Sequence, residues 1–212
     1  MIEPSNIKTT TEQIRRRNVL PVFSVVLRDG GLAEMVYNPE EQKSQFAIWR
    51  DGVLSYEKQI QNGKELCVPY SAKNSLIDNE VILLPSEAKE YGSVEQLIGK
   101  IYDFLHRYMD ISPVFEKLAS YYVLLTWIYD SFNELPYLRV QGDAGSGKTR
   151  FLLILGSLCF KPIFASGAST VSPLFRILDA CRGTLIIDEG DFRLSDEKTE
   201  IKLHDFLIAQ TL

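Results

Sequence analysis

The chain has 212 residues, 45% hydrophobic and 24% charged, with a net charge of −5. That suits one large or two small soluble domains and argues against a globally basic nucleic-acid binder, while leaving room for a basic channel. Cys67, Cys159 and Cys181 form no Cys-x-x-Cys pair and there are only two histidines, which argues against a disulfide framework or a structural zinc site and for reduced thiols in a cytoplasmic protein.

The opening residues are polar and charged, unlike a secretory leader. The longest aromatic-apolar stretch, Tyr121 to Tyr129, is too short to span a bilayer, so no membrane partner is expected. Arg15-Arg16-Arg17 is the only tight basic cluster. It reads as a solvated terminal segment, with a phosphate-backbone contact as the alternative.

Residues 1–90 are expected to form a β-rich N-terminal domain. Strand-like runs cover Val19 to Leu27, Leu32 to Tyr37, Gln45 to Trp49, Val53 to Ile60 and Glu65 to Tyr70, with Val81 to Leu84 as a further candidate. Asp29-Gly30, Asn38-Pro39, Asp51-Gly52 and Asn62-Gly63 separate them, and Asp-Gly and Asn-Gly tolerate the positive φ of tight hairpins. An antiparallel meander follows. No catalytic constellation is visible here, and half-buried packing accounts for Trp49 and Tyr56 better than an aromatic binding face.

Residues 91–133 are expected to be a helical bridge. Ser93 and Gln96 have capping-box spacing. Val94, Leu97, Ile98, Ile101, Phe104, Leu105 and Tyr108 then recur at helical period. A second helix starts at Ser112-Pro113. Its stripe of Phe115, Leu118, Tyr122, Leu125, Ile128, Tyr129 and Phe132 is expected to face a core.

Residues 134–212 carry the chemistry. Gly142-Asp143-Ala144-Gly145-Ser146-Gly147-Lys148-Thr149 spells a phosphate-binding P-loop between a strand-like run (Tyr137, Leu138, Val140) and a helix-like run from Phe151 to Leu158. At ~7% glycine, a chance match in a chain this size is on the order of one in a hundred. The glycines let backbone N–H groups and the helix start face an anion. Lys148 is placed to reach the β- and γ-phosphates of ATP, the Thr149 hydroxyl to hold Mg²⁺, and Arg150 to lie near the phosphates or on the surface.

Further on come a short strand (Pro162 to Ala165), a helix from Ser172-Pro173 through Cys181, and the buried-strand run Thr184-Leu185-Ile186-Ile187. That run ends in Asp188 and Glu189 and reads as a Walker B segment. Asp188 is assigned to Mg²⁺ through a bound water, and Glu189 to the attacking water as base. A final helix is expected from Ser195 to Gln210. Alternating strands and helices imply a parallel three-layer α/β sheet. Its extra strand-helix unit between the two motifs fits the additional-strand division of P-loop ATPases.

The string from Tyr137 through Arg150, with Thr184 to Phe192 and the preceding Trp127 to Phe132, resembles the P-loop ATPases of phages, plasmids and integrated elements. These are replicative or primase-associated helicases within or near the AAA+ and superfamily-three groups. The resemblance covers roughly residues 93 to 195. It implies ATP-driven remodelling of DNA by a homo-oligomer, commonly a ring, in replication of a mobile element. The P-loop glycines, Lys148, Thr149, Asp188 and Glu189 carry over. Asp191 reads as a helix-start acid, Arg176 is not assigned as an arginine finger, and His204 reads as a surface or interface residue. Such proteins continue past Walker B with a sensor strand and an arginine finger, so the ATPase core here is expected to be partial, with an open sheet edge. A P-loop kinase of a small molecule and a non-catalytic ATP-binding assembly module remain as alternatives.

Overall fold

The computed structural model describes residues 18–166 and 171–188. Arg15-Arg16-Arg17, Glu189, Asp191, His204 and the helix expected at Ser195 to Gln210 lie outside the described residues. The chain divides into two compact units, residues 1–79 with 84–88, and residues 80–83 with 89–212. No helix among the described residues is long and apolar enough to cross a membrane.

In the first unit, β2 (Ser24–Val26), β3 (Leu32–Asn38), β4 (Lys43–Arg50) and β5 (Val53–Glu57) form the expected antiparallel meander. Asp51 and Gly52 turn the β4–β5 hairpin with φ of +51° and +78°, the left-handed pair that a two-residue turn requires. The remaining strands depart from a simple meander. The run expected from Val19 to Leu27 breaks at Phe23 into β1 (Asn18–Val22) and β2, and the run from Val53 to Ile60 breaks into β5 and β6 (Ile60–Asn62).

β7 (Glu65–Pro69) pairs antiparallel with β6 and parallel with β1. The unit therefore holds two separate sheets, β1-β7-β6 and β2-β3-β4-β5. Phe23, Met35, Phe46, Ile48 and Cys67 are all buried, and Phe23 stacks on Tyr70 with centroids 4.3 Å apart. Trp49 and Tyr56, expected to be half-buried, are exposed. Ladder register puts Trp49 opposite Leu32 and Leu54, on the face away from Ile48. A short helix, α1 (Ser75–Asp78), is capped by the Asn74 side chain.

The second unit begins with a crossing the sequence did not indicate. Ile82 bridges antiparallel to Ile163, so Glu80–Leu83 belongs with this unit and not with the β-rich one. α2 (Val94–Tyr108) opens on the expected Ser93–Gln96 capping box. α3 (Pro113–Trp127) has Pro113 in its first turn and is followed by a 3₁₀ turn, Tyr129–Ser131.

The buried face of α3 is shifted from the expected stripe, of which Tyr122 packs on the core. Glu116, Ala119, Ser120, Val123 and Thr126 are buried, whereas Phe115, Leu118 and Ile128 are at least half exposed. Helices approach only as closely as their contact residues allow. Ala119 and Ser120 let α3 pack tightly, and Ser120 satisfies its buried hydroxyl by donating to the Glu116 carbonyl at 2.8 Å.

Ile101, Leu105 and Met109 join Ala119 and Val123 of α3, and Leu155 and Cys159, in one core. Leu155 lies on α4 (Lys148–Leu158) and Cys159 caps its end. The opposite side of α4 meets the parallel pair β8 (Ile163–Ser166) and β9 (Leu185–Asp188). A Cβ at Gly156 would strike the Ile186 and Phe164 side chains, so glycine permits that approach. α5 (Val171–Cys181) links the two strands.

The parallel three-layer sheet expected from the sequence is not formed among the described residues. The run at Tyr137, Leu138 and Val140 joins no ladder. Leu138 packs on the helical core, the Pro136 carbonyl accepts from the Tyr122 hydroxyl at 3.2 Å, and the described ladder of β9 lies only on its β8 side.

Candidate functional site

The Gly142–Thr149 loop runs into α4 through Gly145 and Gly147, whose φ values of +79° and +86° lie in the region that favours glycine. Gly147 caps α4 with no side-chain hydrogen bond. The first intrahelical bond is Phe151 N to Gly147 O at 2.9 Å, so the N–H groups of Lys148, Thr149 and Arg150 have no intrahelical partner. Together with the helix dipole they make a positive end. Ser146 N donates to Asp143 O at 3.2 Å and holds the loop's curve, with Ala144 exposed at its turn.

Lys148 spans this curve. Its Nζ donates to the carbonyls of Gly142 at 2.9 Å and Asp143 at 2.7 Å. The ammonium is therefore fixed over the loop it would serve. On the other side, the Thr149 hydroxyl donates to Asp188 Oδ2 at 2.7 Å. Two motifs far apart in sequence meet there, because α4 packs on the β8–β9 pair and Asp188 ends β9. Its register partner on β8 is Ser166, a juxtaposition no sequence signal could reveal before the ladder was known.

A cleft of about 690 Å³ opens beside the loop, lined by Gly145, Gly147, Lys148, Thr149 and Arg150 and, further along α4, by Leu153 and Ile154. Tyr108, the last residue of α2, completes the lining. Sequence periodicity assigned Tyr108 to the packing face of its helix, yet it is 41% exposed. A smaller pocket of about 220 Å³ lies between α4 and the sheet, reached by Thr149, Phe164, Ser166 and Asp188. Arg150 is exposed and lines the larger cleft.

No protein-family model, curated protein or solved structure matches this chain.

The Thr149 hydroxyl and Asp188 carboxylate are adjacent hard oxygen donors. That donor set fits Mg²⁺, which prefers one or two carboxylates together with substrate phosphate oxygens. Among the described residues no group of three or more His, Cys, Asp or Glu side chains gathers as a metal cage, so these oxygens fit a metal brought in with a phosphate ligand. Glu189, the proposed base, lies outside the described residues. The buried thiols of Cys159 and Cys181 are pushed up by desolvation to about 11 and about 12, which leaves them protonated near neutrality and poor nucleophiles.

Proposed function

We propose that the chain binds ATP with Mg²⁺ at the Gly142–Thr149 loop and hydrolyses it. The observation that carries this reading is the 2.7 Å bond between Thr149 and Asp188. A buried strand ending in an acid is common, but an acid end meeting the hydroxyl of a glycine-looped helix start supports a phosphate-and-metal site.

In this proposal the N–H groups at the start of α4 and the Lys148 ammonium take the β- and γ-phosphates, with Nζ exchanging its carbonyl partners for phosphate oxygens. Thr149 and Asp188 would hold Mg²⁺, which when bound supplies charge neutralisation between the phosphates. Glu189 orients the attacking water and takes its proton as the water adds in line to the γ-phosphorus and ADP leaves. The protein's part is positioning and charge complementarity, not covalent chemistry.

The resemblance to mobile-element replication ATPases supports a further step of the proposal: hydrolysis serves a homo-oligomeric motor acting on DNA. Phosphate release from Mg·ATP, measured with and without single-stranded DNA and with Lys148→Ala as the blank, tests both steps. Turnover that DNA stimulates and the blank lacks is expected. Turnover indifferent to DNA would remove the motor and keep the ATPase. Phosphate transfer to a nucleoside or nucleotide in place of water would replace the hydrolase with a kinase. Binding without turnover, coupled to oligomer formation, would leave a non-catalytic assembly module.

A further inference from the structure

We propose that Tyr108 is the platform on which the nucleoside of the bound triphosphate stacks. This rests on the nucleotide reading of the Gly142–Thr149 loop and adds the part that reading lacks, a seat for the base. The cleft beside the loop holds about 690 Å³, within the ~300–1,000 Å³ typical of whole small-molecule sites. Its polar end is the phosphate loop. Its apolar lining is Tyr108 with Leu153 and Ile154, which lie one turn along α4 from Thr149 and Arg150. Leu153 is 52% exposed, so this apolar lining is accessible to a ligand.

The tyrosine ring is 41% exposed. It leans on Phe104 at 4.9 Å between centroids with a 57° tilt. The helix end that carries it is anchored on both sides, by buried Leu105 and by buried Met109, whose N–H donates to the Leu105 carbonyl at 2.9 Å. A ring fixed in place before the ligand arrives loses little freedom on binding. Stacking on an aromatic side chain is worth about 5- to 150-fold in affinity and is tolerant of base identity.

The experiment compares two competitors of a fluorescent nucleotide, Mg·ATP and Mg·tripolyphosphate, which lacks the nucleoside. Both are titrated against the wild type, Tyr108→Ala, Tyr108→Leu, Tyr108→Phe and Lys148→Ala. Tyr108→Ala and Tyr108→Leu should weaken ATP roughly 10- to 100-fold with tripolyphosphate unchanged, while Tyr108→Phe stays within about 3-fold of the wild type. Unchanged tripolyphosphate affinity also shows that the loop remains folded in each variant. The proposal is overturned if the Tyr108 variants bind ATP like the wild type, or lose both probes equally. A wild type that binds neither probe removes the phosphate-loop reading and this proposal with it. A wild type that binds both probes, with binding lost in Lys148→Ala and unchanged in Tyr108→Ala, removes this proposal alone.

Discussion

The side chain of Lys148 is held by its own loop, through two carbonyls at 2.9 and 2.7 Å. Truncating a charged partner in such a site costs about 2–5 kcal/mol of binding, so Lys148→Ala should weaken Mg·ATP by about 30-fold or more. Glu189→Gln should keep binding and slow hydrolysis by about 10²- to 10⁴-fold; equal hydrolysis would remove Glu189 as the base. A second polar cluster lies away from the loop. Buried Glu116 accepts from or pairs with His106 Nδ1 at 2.8 Å, and the Tyr102 hydroxyl, then His106, hold its carboxyl below the ordinary 4.5. A carboxylate depressed in the folded state adds stability above its unfolded value and loses it as pH falls through the folded value. Melting temperature measured from pH 6 down to pH 3 should therefore fall more steeply in the wild type than in Glu116→Gln. Parallel slopes would contradict the role given to Glu116.

Among the elements, those signalled by local chemistry match their sequence reading. The Ser93–Gln96 box, Pro113 at a helix start and the Asp51-Gly52 turn each fix a backbone conformation through neighbouring atoms. Elements whose character depends on distant partners were not legible. Strand pairing cannot be read where one apolar run feeds two sheets, so the breaks at Phe23 and after Glu57 came only with the fold. The orientation of α3 was only partly legible for a related reason. Periodicity finds its large apolar stripe, of which Tyr122 packs on the core, but the most buried face is the one with Ala119 and Ser120, small enough for close approach. Leu105→Ala, at a fully buried site, should cost about 2–5 kcal/mol in denaturant unfolding. Leu118→Ala, at a half-exposed one, should stay within about 0.5 kcal/mol. Comparable losses would return the stripe of α3 to the core.

At the level of the whole molecule, the β-rich unit holds two sheets of its own and the second unit carries the cleft. The loop, Lys148, Thr149 and Asp188 were legible because each motif has a fixed spacing, and their meeting confirms that α4 packs on β9. Tyr108 and Ser166 were not legible, because nothing local distinguishes a helix-end tyrosine in a cleft from one in a core, and a register partner has no sequence mark. The run at Tyr137 to Val140 reads as a strand by pattern, but pattern cannot supply the neighbour that makes a ladder. Titration of Mg·ATP into the wild type and Lys148→Ala, with Mg²⁺ omitted as a control, addresses the nucleotide reading most directly. Saturable binding that needs Mg²⁺ and is lost in the variant is the expected result. Binding that survives Lys148→Ala, or no binding to the wild type at all, would contradict it.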